Sequence, residues 1–238
     1  MNIAIILAGG TGTRLGGELP KQFIKIAGKS IIEHSIDAFE KNNNIDKISI
    51  VINENYFQPL NGIINTNKYR KIDKIIKGGN ERYKSSLNAI KAYSEAVNDN
   101  LIFHDAARPL VSQRIINETI MALKNFNAAT VAIPSSNTIY KINTEIKTIE
   151  SVPDRRNLYC AQTPQAFKLF TIKKAYELFL EDGNFFATDD CGILSKFIPD
   201  EEIYIINGDV NNIKITYSEE VRVAEELIKF KMNGYDKE

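Results

Sequence analysis

Residues 3–23 read Ile-Ala-Ile-Ile-Leu-Ala-Gly-Gly-Thr-Gly-Thr-Arg-Leu-Gly-Gly-Glu-Leu-Pro-Lys-Gln-Phe. The run Ile3–Ala8 is short, apolar and halted by glycines, as a central parallel strand reads when both its faces are buried. A glycine-rich loop directly after such a strand offers several backbone N–H groups at one point, with no side chains to obstruct a polyphosphate. Arg14 and Lys21 add fixed positive charge, so Gly9, Gly10, Gly12, Arg14 and Lys21 are candidate triphosphate contacts. Two familiar phosphate loops are excluded by position. A dinucleotide fingerprint needs a third glycine where Leu15 stands, and a P-loop ending in Gly28-Lys29-Ser30 needs glycine at Phe23. That tripeptide reads instead as a turn opening a helix.

Outward from this stretch, strand-like and helix-like segments alternate. Ser30–Lys41 has apolar residues at helical spacing, Lys47–Ile52 and Ile72–Lys77 read as strands, and Ser85–Val97 as an amphipathic helix. Leu101–His104 is a further strand, Gln113–Asn125 a helix and Ala129–Pro134 a strand. This rhythm predicts an α/β fold: a Rossmann-like, mostly parallel sheet flanked by helices, with phosphate ligands beyond the carboxyl ends of the strands. Residues 135–152 break the rhythm and read as a β-hairpin turning at Asn143-Thr-Glu, with too few apolar residues for a core of its own. It is expected to project, either as an arm for dimerisation or as a solvated surface hairpin. Helices at Leu169–Glu181, Thr188–Phe197 and Glu219–Lys231 and a strand at Ile203–Ile206 complete the pattern. Without linker or repeat, residues 1–238 are expected to form a single domain carrying an arm at about 135–156.

The bulk properties exclude several partners. Lys plus Arg and Asp plus Glu number 30 each, so no net charge argues for nucleic acid or a membrane surface. Any polyanion must meet a local cluster of cations. The two cysteines, Cys160 and Cys191, form neither a metal-ligand spacing nor a disulfide framework, and no apolar run approaches the ~20 residues of a membrane span. A soluble, cytoplasmic protein is expected.

Asp105 closes an apolar strand, a suitable position for holding Mg²⁺ on a triphosphate; a helix-capping aspartate is the plainer alternative. Around it several motifs occur in order: Gly78-Gly-Asn-Glu-Arg, His104-Asp-Ala-Ala-Arg-Pro, Asp154-Arg155, Gln162-Thr-Pro-Gln, Thr188-Asp-Asp and Asn212-Ile-Lys-Ile-Thr. With the first loop and Pro20-Lys-Gln-Phe, they resemble the 2-C-methyl-D-erythritol 4-phosphate cytidylyltransferases and the related ribitol 5-phosphate cytidylyltransferases. The resemblance runs from the first strand to Thr216. It implies transfer of CMP from CTP to a polyol phosphate, with Lys214 on the α-phosphate beside Lys21 and a cytosine pocket at Ala8, Gly79, Asn80, Ser85 and Ala106. Asn80 stands where the family usually carries aspartate. The resemblance also implies that Arg155, Thr138, Thr188 and Asp105 bind the acceptor, the first two delivered by the arm of a partner subunit in a homodimer. Arg156 stands next to Arg155 and competes for that role. Arg108, His34, His104 and both cysteines read as packing residues.

The acceptor is less sharply indicated. Ala107, Ala161 and Thr188 are similar to the methylerythritol enzymes, whereas the Leu-Ala-Gly-Gly loop and Asp190-Cys-Gly-Ile-Leu resemble capsule-type pentitol phosphate enzymes. Asn137 replaces an aspartate common to both groups. The balance points to 2-C-methyl-D-erythritol 4-phosphate, with D-ribitol 5-phosphate or a similar pentitol phosphate as the alternative.

Overall fold

The computed structural model describes residues 1–10, 20–96, 98–182 and 186–232. Seven strands form one sheet in the order β11-β7-β10-β6-β1-β4-β5. These are β1 (Asn2–Leu7), β4 (Lys47–Ile52), β5 (Ile72–Lys77), β6 (Asn100–Asp105), β7 (Ala128–Pro134), β10 (Tyr159–Lys168) and β11 (Ile203–Asn207). All pairings are parallel except those of β10, which runs antiparallel between β6 and β7. The mostly parallel, helix-flanked α/β sheet is therefore as expected.

The apolar alternation along β1 divides the core. Ala4 and Ile6 face α1 (Ile31–Glu40), α2 (Phe57–Asn67) and α4 (Gln113–Ala122), packing with Ile36, Phe39, Leu60 and Ile116. Ile3, Ile5 and Leu7 face α3 (Arg82–Ala92), α5 (Leu169–Asp182) and α6 (Asp190–Phe197), packing with Ile90, Ile172, Tyr176 and Leu194. The last helix, α7 (Ser218–Met232), covers a small hairpin, β2 (Lys25–Ile26) and β3 (Lys29–Ser30), through Ile26, Ala224 and Ile228. Ala27 and Gly28 turn that hairpin with φ of 45° and 86°, so of Gly28-Lys29-Ser30 only the glycine is in the turn; Lys29 and Ser30 pair as β3, and Ser30 caps α1.

Several elements differ from expectation. α3 starts at Arg82, one turn before Ser85, and ends at Ala92; α6 starts at Asp190, with Asp189 as its N-cap. Residues 57–67 form a helix that Pro59, Gly62 and three asparagines disguise, and of which only Leu60 is buried. β10 is hidden because its buried stretch, 162–167, opens with Gln-Thr-Pro-Gln: Gln162, Thr163 and Gln165 are buried by hydrogen bonding, and only Ala166 and Phe167 at its end join the apolar core. Lys214 lies in irregular chain. The hairpin in 135–152 is present as β8 (Lys141–Asn143) and β9 (Thr148–Ser151), and every residue of both strands is exposed. Among the described residues, no helix is long and apolar enough to cross a membrane.

Candidate active site

The chain runs outward from β1 through β4 to β5, then returns across β1 to form β6. A crevice therefore opens beyond the carboxyl ends of β1 and β6, where Leu7 and Asp105 are paired. Four backbone-directed hydrogen bonds fix its rim. Gln22 donates to the Ala8 carbonyl (2.9 Å), the Ala106 amide to Leu7 (3.0 Å), the Ser35 hydroxyl to Ala106 (2.9 Å) and the Ile215 amide to Ala107 (2.8 Å).

A cavity of about 300 Å³ fills this crevice. Its walls include Ala8, Gly9, Gly10, Lys21, Gly79, Asn80, Ser85, Asp105, Ala106 and Lys214. Most of the residues expected to hold the nucleotide are thus brought together, although they come from five separate stretches of chain. Gly12 and Arg14 lie outside the described residues. Small residues are needed on this wall. A Cβ on Gly9 would lie 3.1 Å from Ser85 Oγ, and one on Gly79 would lie 2.2 Å from Lys84 Cβ. The Gly79 amide donates to Ser85 Oγ (3.1 Å), which ties the Gly78–Asn80 loop to α3.

The cations converge by a chain of contacts that spacing alone does not reveal. Lys21 donates to the Ile215 carbonyl (3.0 Å), which sets it beside the residue next to Lys214. Lys214 Nζ lies 2.7 Å from Asp105 Oδ2. Arg108 is structural: it is buried and donates to the carbonyls of Asn212 (2.7 Å) and Ala161 (3.3 Å), so it holds the irregular segment that carries Lys214. Asn212 adds bonds to Gln162 and to the Thr163 carbonyl.

His104 is a packing residue. Its Nε2 faces the Arg108 carbonyl (3.0 Å), which can only accept, so the proton sits on Nε2. Nδ1 then accepts from the Thr163 hydroxyl (3.0 Å), which in turn accepts from the Asp105 amide (3.1 Å). Burial pushes the imidazole down to about 4, so it is neutral and serves to fix Asp105. Cys191 is likewise pushed up by burial and is no nucleophile. His34 bonds the Ile26 carbonyl (2.9 Å), while Cys160 is exposed and free rather than packed.

Burial opposes ionisation of Asp105, but the Lys214 ammonium and the Arg82 guanidinium outweigh it and hold the carboxyl well below the usual carboxylate range. An ionised carboxylate on the wall of this cavity suits a hard divalent cation. Among the described residues no cluster of three or more His, Cys, Asp and Glu could hold one unaided. Magnesium is commonly bound by one or two carboxylates with substrate phosphates completing its sphere, so this donor set fits.

A second cavity of about 240 Å³ shares Arg82, Asp105 and Lys214 with the first and extends to Thr188, Gln165 and Thr163. Of the expected acceptor residues, Asp105 and Thr188 therefore face it. Arg155 and Thr138 line neither cavity; they stand at the base of the hairpin, with Arg155 donating to the Ser136 carbonyl (3.2 Å). Arg156 is clamped on Asp154, which accepts from its Nη2 at 2.6 Å. Arg82 was not foreseen as a site residue, although Gly78-Gly-Asn-Glu-Arg contained it; the missing signal was its carboxylate partners, remote in sequence. A larger cavity of about 720 Å³ lies against Tyr83 and Phe179, but its described walls are mostly apolar with Arg82 as their cation, so size does not choose the site.

Comparison with known proteins agrees with this geometry. Residues 2–229 match the family model described as 2-C-methyl-D-erythritol 4-phosphate cytidylyltransferase (IspD). The chain is 43% identical over 229 residues to the bifunctional ribulose 5-phosphate reductase/CDP-ribitol pyrophosphorylase Bcs1 of Haemophilus influenzae; the match takes in 96% of this chain and 48%, about half, of that relative. It is 38% identical over 230 residues to the 2-C-methyl-D-erythritol 4-phosphate cytidylyltransferase of Thermobifida fusca (95% and 92% covered). Among solved structures, 4-diphosphocytidyl-2C-methyl-D-erythritol synthase from Anaerococcus prevotii superposes with a TM-score of 0.84 at 29% identity over 96% of both chains. The 2-C-methyl-D-erythritol 4-phosphate cytidylyltransferase of Francisella tularensis gives 0.76 at 27% (94% and 98% covered).

Proposed function

The chain belongs to the 2-C-methyl-D-erythritol 4-phosphate cytidylyltransferase family, and we propose that it transfers CMP from CTP to a polyol phosphate with release of pyrophosphate, 2-C-methyl-D-erythritol 4-phosphate being the acceptor. One observation carries this reading: Lys21, Asp105 and Lys214 meet a glycine-lined cavity at the crevice between β1 and β6.

A phosphate oxygen of the acceptor attacks the α-phosphorus of CTP. The new P–O bond forms as the bond to the β-phosphate oxygen breaks, and the electron pair leaves with pyrophosphate. The attacking phosphate is already ionised, so no general base is required, and catalysis rests on alignment and charge neutralisation. Gly9 and Gly10, with Gly12 and Arg14, cradle the triphosphate. Lys21 and Lys214 neutralise charge that builds on the α-phosphoryl oxygens. Ala8, Gly79, Asn80, Ser85 and Ala106 hold the cytosine, Asn80 and Ser85 reading its polar edge. Asp105 is the carboxylate that would hold magnesium, which when bound screens the triphosphate charge. Asp105 and Thr188 orient the acceptor in the adjoining cavity.

Residues 1–238 act as one nucleotidyltransferase domain, with the arm at about 135–156 reaching a second subunit. The arm's exposed Ile142 and Ile149, paired across its two strands, support this, since an apolar face on an unpacked hairpin gains from burial. A dimer brings Arg155 and Thr138 to the partner's acceptor cavity. Cysteines outside any disulfide are in keeping with a reducing, cytoplasmic setting.

The 43% identity to a CDP-ribitol pyrophosphorylase favours a second reading, D-ribitol 5-phosphate as acceptor. Pyrophosphate release with CTP and magnesium, measured in parallel against 2-C-methyl-D-erythritol 4-phosphate, ribitol 5-phosphate and glycerol 3-phosphate, decides between them. Preference for the first acceptor is expected; preference for ribitol 5-phosphate reassigns the product to a CDP-pentitol.

A further inference from the structure

The Arg82 guanidinium lies between two carboxylates from different elements. Its Nη1 is 2.8 Å from Asp190 Oδ2 and its Nε is 3.9 Å from Asp105 Oδ1. The two contacts are unlike. Asp190 is fully buried, and its other oxygen accepts from the Tyr176 hydroxyl at 2.6 Å. A buried carboxylate cannot give up its cation without stranding a charge in the interior, so this end of Arg82 is anchored. Asp105, by contrast, opens on both cavities and is also held by Lys214.

The position of Arg82 gives the anchor a purpose. Its chain begins at the Gly78–Glu81 loop that walls the nucleotide cavity, and its partner Asp190 lies two residues beyond Thr188 on the acceptor side. The same turn is held again by Asp189, which caps the Gly192 amide (2.8 Å) and accepts from Gln165 (2.6 Å). When Lys214 turns to the α-phosphoryl group, Asp105 loses its nearer cation and keeps Arg82. We infer that Arg82 is a positioning residue coupling the two cavities: anchored by Asp190 and Tyr176, it holds Asp105 on the nucleotide side and the Thr188–Asp190 turn on the acceptor side. This rests on the CMP-transfer reading.

Amide hydrogen exchange of the full chain, with and without CTP and magnesium, tests the coupling without turnover. In the unsubstituted protein, CTP should slow exchange in peptides covering 188–194. Arg82→Gln combined with Asp190→Asn removes both charges of the buried pair at once and strands neither. This double variant should still bind CTP but lose the nucleotide-dependent protection, and its KM for the acceptor should rise about 5–150-fold, the range of a typical coupling between sites. A residue that merely supported the fold would lower the melting temperature and leave the nucleotide dependence intact. Tyr176→Phe keeps the ring packed while loosening the anchor, so it should weaken the protection in part, and it carries the test if the double variant does not fold. Protection that persists in these variants, or is absent from a CTP-bound unsubstituted chain, overturns the coupling alone. An unsubstituted chain that binds no CTP overturns the transfer reading and the coupling with it.

Discussion

Gly79→Ala is the substitution whose effect the structure defines most sharply. Gly79 does not have a left-handed φ, so alanine meets no backbone strain, and the whole effect is steric. The new Cβ would stand 2.2 Å from Lys84 Cβ and 3.1 and 3.2 Å from the Lys84 carbonyl carbon and Cα. Non-bonded carbons rest at about 3.5–4.0 Å, so the first turn of α3 must retreat by about 1.5 Å. Lys84 cannot move alone, because the turn is a hydrogen-bonded unit that also carries Arg82 and Ser85. Overpacking of this kind costs about 1–3 kcal/mol. At this chain length each kcal/mol lowers Tm by about 2–4 °C. A displacement of about 1 Å in positioning groups can cost about 10²-fold in rate, so the kinetic loss should exceed the loss of stability. Thermal unfolding, CTP titration and pyrophosphate release on one preparation measure all three. Gly62→Ala in α2 is the control: nothing lies within 4 Å of the added Cβ, and it should stabilise by about 0.5–1 kcal/mol with unchanged activity. Should Gly79→Ala match the unsubstituted chain in Tm, CTP affinity and rate, the assignment of the Gly78–Asn80 loop to the nucleotide wall is wrong.

Other predictions follow from single contacts. Lys214→Met keeps the aliphatic stem but removes the charge, and should lower turnover about 10²–10³-fold, with some loss of Tm because buried Asp105 keeps only Arg82; near-normal turnover would remove Lys214 from the reaction. His104 binds its proton near pH 4 when folded but near pH 6.5 when unfolded, so the unfolded state takes up the extra proton between those values. Stability should therefore fall by about 3 kcal/mol as pH drops from 7 to 4, and urea titrations of His104→Gln should show a flatter acid limb. For a C₂ dimer with shared sites, Arg155→Ala and Lys214→Ala are each inactive, yet random mixing should restore roughly a quarter of full activity, because half the dimers carry one intact site. Mixtures as inactive as their parents would place Arg155 in the same subunit's site, and an active Arg155→Ala parent would place it outside the chemistry.

The proposed nucleotide cavity is largely legible in the sequence because its parts follow strands. The glycine loop follows β1 and Asp105 ends β6, and strand ends are visible as apolar runs that stop. The acceptor side was legible only piecemeal. Thr188 was foreseen, but Gln165 and Arg82 were not, because their roles come from partners 24 and 108 residues away in sequence, Asp189 and Asp190 respectively. β10 is hidden for the same reason: a buried stretch that opens with Gln162-Thr-Pro-Gln and keeps only Ala166 and Phe167 as core residues has no periodic apolar pattern to display.

The amino-acid sequence by itself determined the layered α/β plan, the glycine-rich composition of the stretch after the first strand and the cations available in the chain, since these rest on local pattern and residue chemistry. Tertiary structure alone decided how those cations are deployed. Lys21 is set against the Ile215 carbonyl, Arg108 holds the segment bearing Lys214, and Arg82 spans two carboxylates, because charges in a crevice are placed by the buried acceptors the fold brings to them and not by their neighbours in the chain.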